Sequence, residues 1–112
     1  MAGMNKETEQ KIGQLQIFER SLQNFLAQKQ QFQLQLSEIE SALKELETSD
    51  EAYKIVGNLM VKGDKGSLKK DLEEKKDVAG LRIRSIEKQE KDIREKAVSL
   101  QQEVMKELQQ KG

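Results

Sequence analysis

Apolar residues recur along the first half of the chain in two interleaved series of period seven. Leu15, Leu22, Leu36 and Leu43 stand on one, interrupted by Lys29, and Phe18, Phe25, Phe32, Ile39 and Leu46 stand on the other, three residues later. Such a repeat keeps its apolar positions on one narrow stripe only if the backbone is helical and wound against a partner. Residues 8 to 48 therefore read as a long helix carrying the a/d seam of a left-handed coiled coil. Propensity agrees, because Gln, Glu, Leu, Lys and Ala dominate, proline is absent and Gly13 is the only glycine in the stretch.

The pattern stops at Thr48, Ser49 and Asp50, and a β-branched and aromatic run follows: Tyr53, Ile55, Val56, then Gly57 and Asn58, then Leu59, Met60 and Val61. Gly and Asn both tolerate positive φ, so Gly57 and Asn58 predict a two-residue hairpin loop between strands over residues 52 to 56 and 59 to 63. Across that loop Val56 faces Leu59, Ile55 faces Met60 and Lys54 faces Val61. Tyr53, Ile55 and Met60 then share one face, and Val56, Leu59 and Val61 share the other. A two-stranded ribbon that is apolar on both sides and free at both edges is marginal in water. It reads as an assembly element, the alternative being a hairpin folded back on its own helices.

Ser67 is the expected N-cap of a second helix, from Leu68 to about residue 110. This helix repeats the heptad, with Ile83, Glu90, Ala97 and Val104 on one series and Leu72, Ala79, Ile86, Ile93 and Leu100, then Glu107, on the other. Two helices of about 40 residues, each about 60 Å long, flank a hairpin that reverses the chain. The expected fold is mainly α, one domain over residues 1–112: a long antiparallel two-helix coiled coil interrupted by a β-hairpin, with both termini at the far end. If Phe18 faces Leu100, then Phe25 meets Ile93, Phe32 meets Ile86 and Leu46 meets Leu72. Lys29 then meets Glu90, so the charged residues that interrupt the central heptads become opposite neighbours. Their expected role is register selection, because a buried ion pair adds little net stability whereas a mismatched charge is costly. A register three residues away would place the two in adjacent layers, and two side chains snorkelling at the seam edge are the plainer reading.

Charge and composition narrow the function classes. Twenty basic and twenty acidic residues leave no net charge, and 36% of residues are charged. Neither nucleic acid nor an acidic membrane surface has an electrostatic handle here. The alternating signs from Lys69 to Asp77 form a solvated helix face. Histidine and cysteine are absent, which removes the commonest metal ligands, general bases and thiol nucleophiles. The chain reads as a non-enzyme without cofactor or metal. Gly63, Asp64 and Gly66 lack the spacing of a phosphate loop, and no run is apolar enough for a membrane span or a signal peptide. A soluble cytoplasmic protein is the expectation.

The far end of the arm carries surplus apolar residues. Ile12, Leu15, Ile17 and Phe18 crowd one helix there, and Val98, Leu100, Val104, Met105 and Leu108 the other. The seam absorbs Leu15, Phe18, Leu100 and Val104, whereas Ile17, Val98, Met105 and Leu108 lie beside it. Flexible methionines and helix ends suit contact with varied apolar partners, ordinary fraying being the plainer reading.

The order helix, hairpin, helix, with Ala52, Tyr53, Lys54, Ile55, Val56 and Gly57 leading into an apolar strand, resembles the β subunits of archaeal-type prefoldins over essentially the whole chain. One hairpin rather than two suits the β type. The resemblance implies a hexamer of two α and four β subunits whose hairpins join into intersubunit β-barrels. It further implies an ATP-independent holdase whose arm tips bind unfolded polypeptide and deliver it to a group II chaperonin. By position, Tyr53, Ile55, Val56, Leu59, Met60 and Val61 would carry assembly with the α partner and other β subunits. Ile12, Leu15, Ile17, Phe18, Val98, Val104, Met105 and Leu108 would contact the client. The alternative is a structural coiled-coil adaptor whose tips hold nothing.

Overall fold

The computed structural model describes residues 5–110. Its elements run α1 (Lys6–Thr48), β1 (Ala52–Val56), β2 (Leu59–Gly63) and α2 (Lys65–Gln110). They fall into two compact units. One comprises the described residues up to Gln28 together with those from Ser85, and the other is Lys29–Arg84.

In the first unit the start of α1 packs against the end of α2. Asn5 caps α1: its side-chain oxygen accepts the backbone N–H of Thr8 at 2.7 Å, and its carbonyl accepts that of Glu9 at 3.1 Å. Glu7 and Glu9 add negative charge to the first turn, at the positive end of the helix dipole. Phe18 and Leu100 line a common groove, and Thr8 is hydrogen-bonded to Glu107, so the helices run antiparallel here. Ile86, Glu90 and Val104 are buried, while Leu15, Phe18, Leu22, Phe25, Ile93, Ala97 and Leu100 are half-buried, all of them seam positions.

In the second unit the seam positions are Phe32, Leu36, Ile39, Leu43 and Leu46 of α1 and Leu68, Leu72, Ala79 and Ile83 of α2, each buried or half-buried. Leu46 and Leu72 share one groove, and Ile39 and Ala79 share another. The helices are antiparallel in this unit too. Gly80 lies on this part of α2, where an added Cβ would meet only the far end of Arg84, Nη1 at 3.5 Å. No close helix approach requires the glycine.

The hairpin joins the helices as a two-stranded antiparallel sheet with Val56 opposite Leu59, Ile55 opposite Met60, Lys54 opposite Val61 and Tyr53 opposite Lys62. In the loop Gly57 has positive φ, at 61°, while Asn58 does not. A single positive φ at the first loop position, held by glycine, is the type II′ arrangement, whose twist matches that of the strands. Of the two loop residues, only the glycine uses its left-handed freedom.

Helix α2 begins earlier than the sequence suggests, and its cap is Asp64 rather than Ser67. The Asp64 carboxylate accepts the backbone N–H of Ser67 at 2.9 Å, and its carbonyl accepts that of Leu68 at 2.9 Å. Ser67 thus sits in the first turn. Both residue types are good caps, and an anionic oxygen at the positive end of a helix is the stronger acceptor. The Ser67 N–H, then the Ser67 hydroxyl, hold the Asp64 carboxyl below its usual value of 3.8.

Candidate client and assembly surfaces

Alternation in β1 and β2 puts Tyr53, Ile55 and Met60 on one face and Val56, Leu59 and Val61 on the other, and all six are exposed. Ile55 is 70% exposed, a high value for a strand isoleucine. The base of the ribbon is anchored. Ala52, opposite Gly63, is buried, and a Cβ added at Gly63 would come within 2.8 Å of Leu68 Cδ1, so the strand end lies directly against the first turns of α2. Tyr53 donates its hydroxyl to Glu51 Oε2 at 2.9 Å, and Lys62 lies 3.9 Å from Glu51 Oε1. The root of the hairpin is fixed by packing and hydrogen bonds, and its apolar remainder is left facing outward.

At the end where α1 begins and α2 finishes, the residues expected to meet a client divide into two groups. Ile17, Val98, Met105 and Leu108 are exposed. Ile12, Leu15 and Phe18 are half-buried, and Val104 is only 6% exposed. Val98 and Met105 lie seven residues apart on α2 with Leu108 three further on, a spacing that places them along one side of the helix.

A polar cluster that the sequence reading did not single out closes this end of the seam. Thr8 is fully buried (0% exposed), and its hydroxyl lies 2.7 Å from Glu107 Oε2 and 2.9 Å from Asn5 Oδ1. With one proton it donates to one acceptor at a time, the carboxylate being the stronger. Lys11 donates to Glu107 Oε1 and lies 3.6 Å from Glu103 and 4.0 Å from Glu7. The hydrogen bond to Glu107, against the opposing effect of desolvation, and the charges of Glu107, Glu103 and Glu7 raise the Lys11 pKa above 10.5. One signal was present in the sequence. Glu107 falls on the heptad series that runs through Leu100, and a register in which Phe18 faces Leu100 places Lys11 opposite it.

The interrupting charges of the central heptads are also located. Glu90 is 2% exposed, with Arg94 Nη2 3.6 Å from its carboxylate, and Lys29 is half-buried on α1. Among the described residues no helix is long and apolar enough to cross a membrane.

Comparison with known proteins agrees with this geometry. The family model described as prefoldin subunit matches residues 9–111. The chain is similar to prefoldin subunit beta of Thermococcus onnurineus, 36% identical over 107 residues, covering 93% of this chain and 92% of the relative. It is similar as well to that of Methanothrix thermoacetophila, 36% identical over 105 residues with 91% and 88% covered. Among solved structures it is similar to the crystal structure of the prefoldin beta subunit from Thermococcus strain KS-1, with a TM-score of 0.86, 33% identity, and 95% and 96% of the two chains covered. Prefoldin subunits are components of a multi-subunit chaperone complex. With paired heptad seams, one two-faced apolar hairpin and these likenesses along nearly its full length, the chain belongs to the prefoldin subunit family and is of the β type.

Proposed function

We propose that this chain is the β subunit of an ATP-independent holdase, which captures non-native polypeptide at its helix ends and passes it to a group II chaperonin in the cytoplasm. The observation that carries the reading is the exposure of Ile17, Val98, Met105 and Leu108 beside a seam whose own apolar residues already cover one another. Apolar side chains that a soluble helix pair could have replaced by polar ones at no packing cost mark a contact surface. Their number is small at each end, so capture depends on several ends meeting one client, which gives avidity while leaving each contact weak enough to release.

Assembly supplies that multiplicity. In this reading Tyr53, Ile55, Val56, Leu59, Met60 and Val61 pair the hairpin with those of an α-type partner and other β subunits, in a hexamer of two α and four β subunits. Free strand edges and two apolar faces are what such a barrel would cover.

Site-specific photo-crosslinking tests where the client sits. A photoreactive side chain at Val98 or Met105, in the assembled complex, is expected to capture an unfolded test protein. The same group at Val78 or Leu81, which are equally exposed apolar positions on α2, is expected to capture little. Equal capture at all four would remove the helix ends from the account.

A further inference from the structure

The exposed residues at this helix end adjoin a second apolar set that is buried or half-buried, and the cluster of Asn5, Thr8, Lys11, Glu103 and Glu107 stands at the end of that set. Its chemistry is unusual for its place. Glu103 and Glu107 lie in the last two turns of α2, near the negative end of their own helix dipole, and no basic residue stands in that last turn. The dipole of α2 disfavours carboxylates at that end. They are offset from α1: Glu107 receives the Thr8 hydroxyl and the Lys11 ammonium, and it sits against the first turn of α1, the positive end of that helix. The hydrogen bonds and ion pair that α1 gives these acids exist only while the two helix ends stay together.

The seam beside the cluster is apolar. Inward of it, Val104 is 6% exposed, and Leu15, Phe18 and Leu100 are half-buried. An apolar residue at the Glu107 position would have continued the seam and held it shut by burial alone. A charged, hydrogen-bonded layer instead gives closure that depends on geometry and is lost as a unit, because separation returns every member to water.

We infer that this cluster is a latch on the helix end: closed, it limits the contact surface to Ile17, Val98, Met105 and Leu108, and released, it adds Leu15, Phe18, Leu100 and Val104. The partner it regulates is a polypeptide exposing apolar side chains, so the inference rests on the function proposed above. Opening needs only the first turns of α1 and the last turns of α2 to part, and helix ends are the segments with the lowest opening cost.

The test is amide hydrogen exchange on the full chain, assembled with an α-type partner, read separately over residues 8–18 and 98–108 and over the hairpin. Glu107→Gln keeps the shape but removes the charge that faces Lys11. It should accelerate exchange at both helix ends by about tenfold and leave the hairpin unchanged. Glu107→Leu extends the apolar seam by one layer while Lys11 retains Glu7 and Glu103, and should slow exchange at the same amides. Capture of an unfolded test protein should rise in the first variant and fall in the second. Unchanged exchange in both variants, or faster exchange in both, would overturn the latch. Opposite exchange effects with identical capture would overturn its role in exposing contact surface. Absence of capture by the unsubstituted complex would instead strike at the proposed function, with the exchange result still deciding whether the latch exists.

Discussion

Glu90 occupies a seam position whose heptad neighbours, Ile83, Ala97 and Val104, are all apolar. Its side chain is 2% exposed, and one of its partners, Arg94, is largely in water. Taking a carboxylate out of water costs several kcal/mol, and nearby charge recovers only part of that. Replacing it by an apolar side chain of similar volume removes the penalty and extends the packed seam. Where Glu90 only selects the register, Glu90→Leu should melt at or above the temperature of the unsubstituted chain. Glu90→Ala removes the charge but leaves a void, and should not share the gain. Thermal unfolding by circular dichroism compares the two. A Glu90→Leu variant that melts well below the native chain would mean that the carboxylate stabilises the seam outright rather than selecting its register.

Among the elements, the hairpin is where sequence reading and structure coincide residue for residue, and the reason is geometric. A two-residue loop leaves one way to count partners back along both strands, so fixing Gly57 and Asn58 fixes Val56 against Leu59 and every pair behind it. The helix boundaries had no such constraint. Asp64 and Ser67 are both good caps, and only the geometry shows that the carboxylate takes the N–H of Ser67. Glu107 and Lys11 were legible only as a broken heptad and an unremarkable lysine, because a polar layer gives no periodic signal. Exposure at the helix end was read from the heptad phase, but the polar closure there joins Thr8 to Glu107, nearly a full chain apart.

The cap makes a prediction at this scale. Hydrogen bonding by Ser67 depresses the Asp64 pKa, so its contribution is present above 3.8, the value of the unfolded chain, and is lost as pH falls through the lower folded value. Asp64→Asn should melt below the native chain at neutral pH, and the difference should close in strong acid. A gap that stays constant down to pH 2 would mean the charge is irrelevant to the cap.

The hairpin faces make another. Ile55 and Met60 sit directly opposite each other, so Ile55→Lys with Met60→Glu keeps a favourable cross-strand pair while making that face polar. Helix content should be unchanged, and the complex with an α-type partner should fall to smaller species by multi-angle light scattering. An unaltered mass would take this face out of assembly.

For the whole molecule, the division of labour follows from where apolar surface is left uncovered. The helices satisfy one another along their seams, the hairpin keeps both faces exposed, and the helix ends keep a short row of exposed side chains beside a covered seam. In the function proposed above, recognition is burial of apolar surface, and release follows from the weakness of each single contact. The most direct test is light scattering from a chemically unfolded protein diluted into buffer without nucleotide, in the presence of this chain assembled with an α-type partner. The account predicts suppressed aggregation that weakens when Ile17, Val98, Met105 and Leu108 are replaced by serine. Aggregation that proceeds unchanged in the presence of the intact complex would contradict it and leave a structural coiled-coil adaptor in its place.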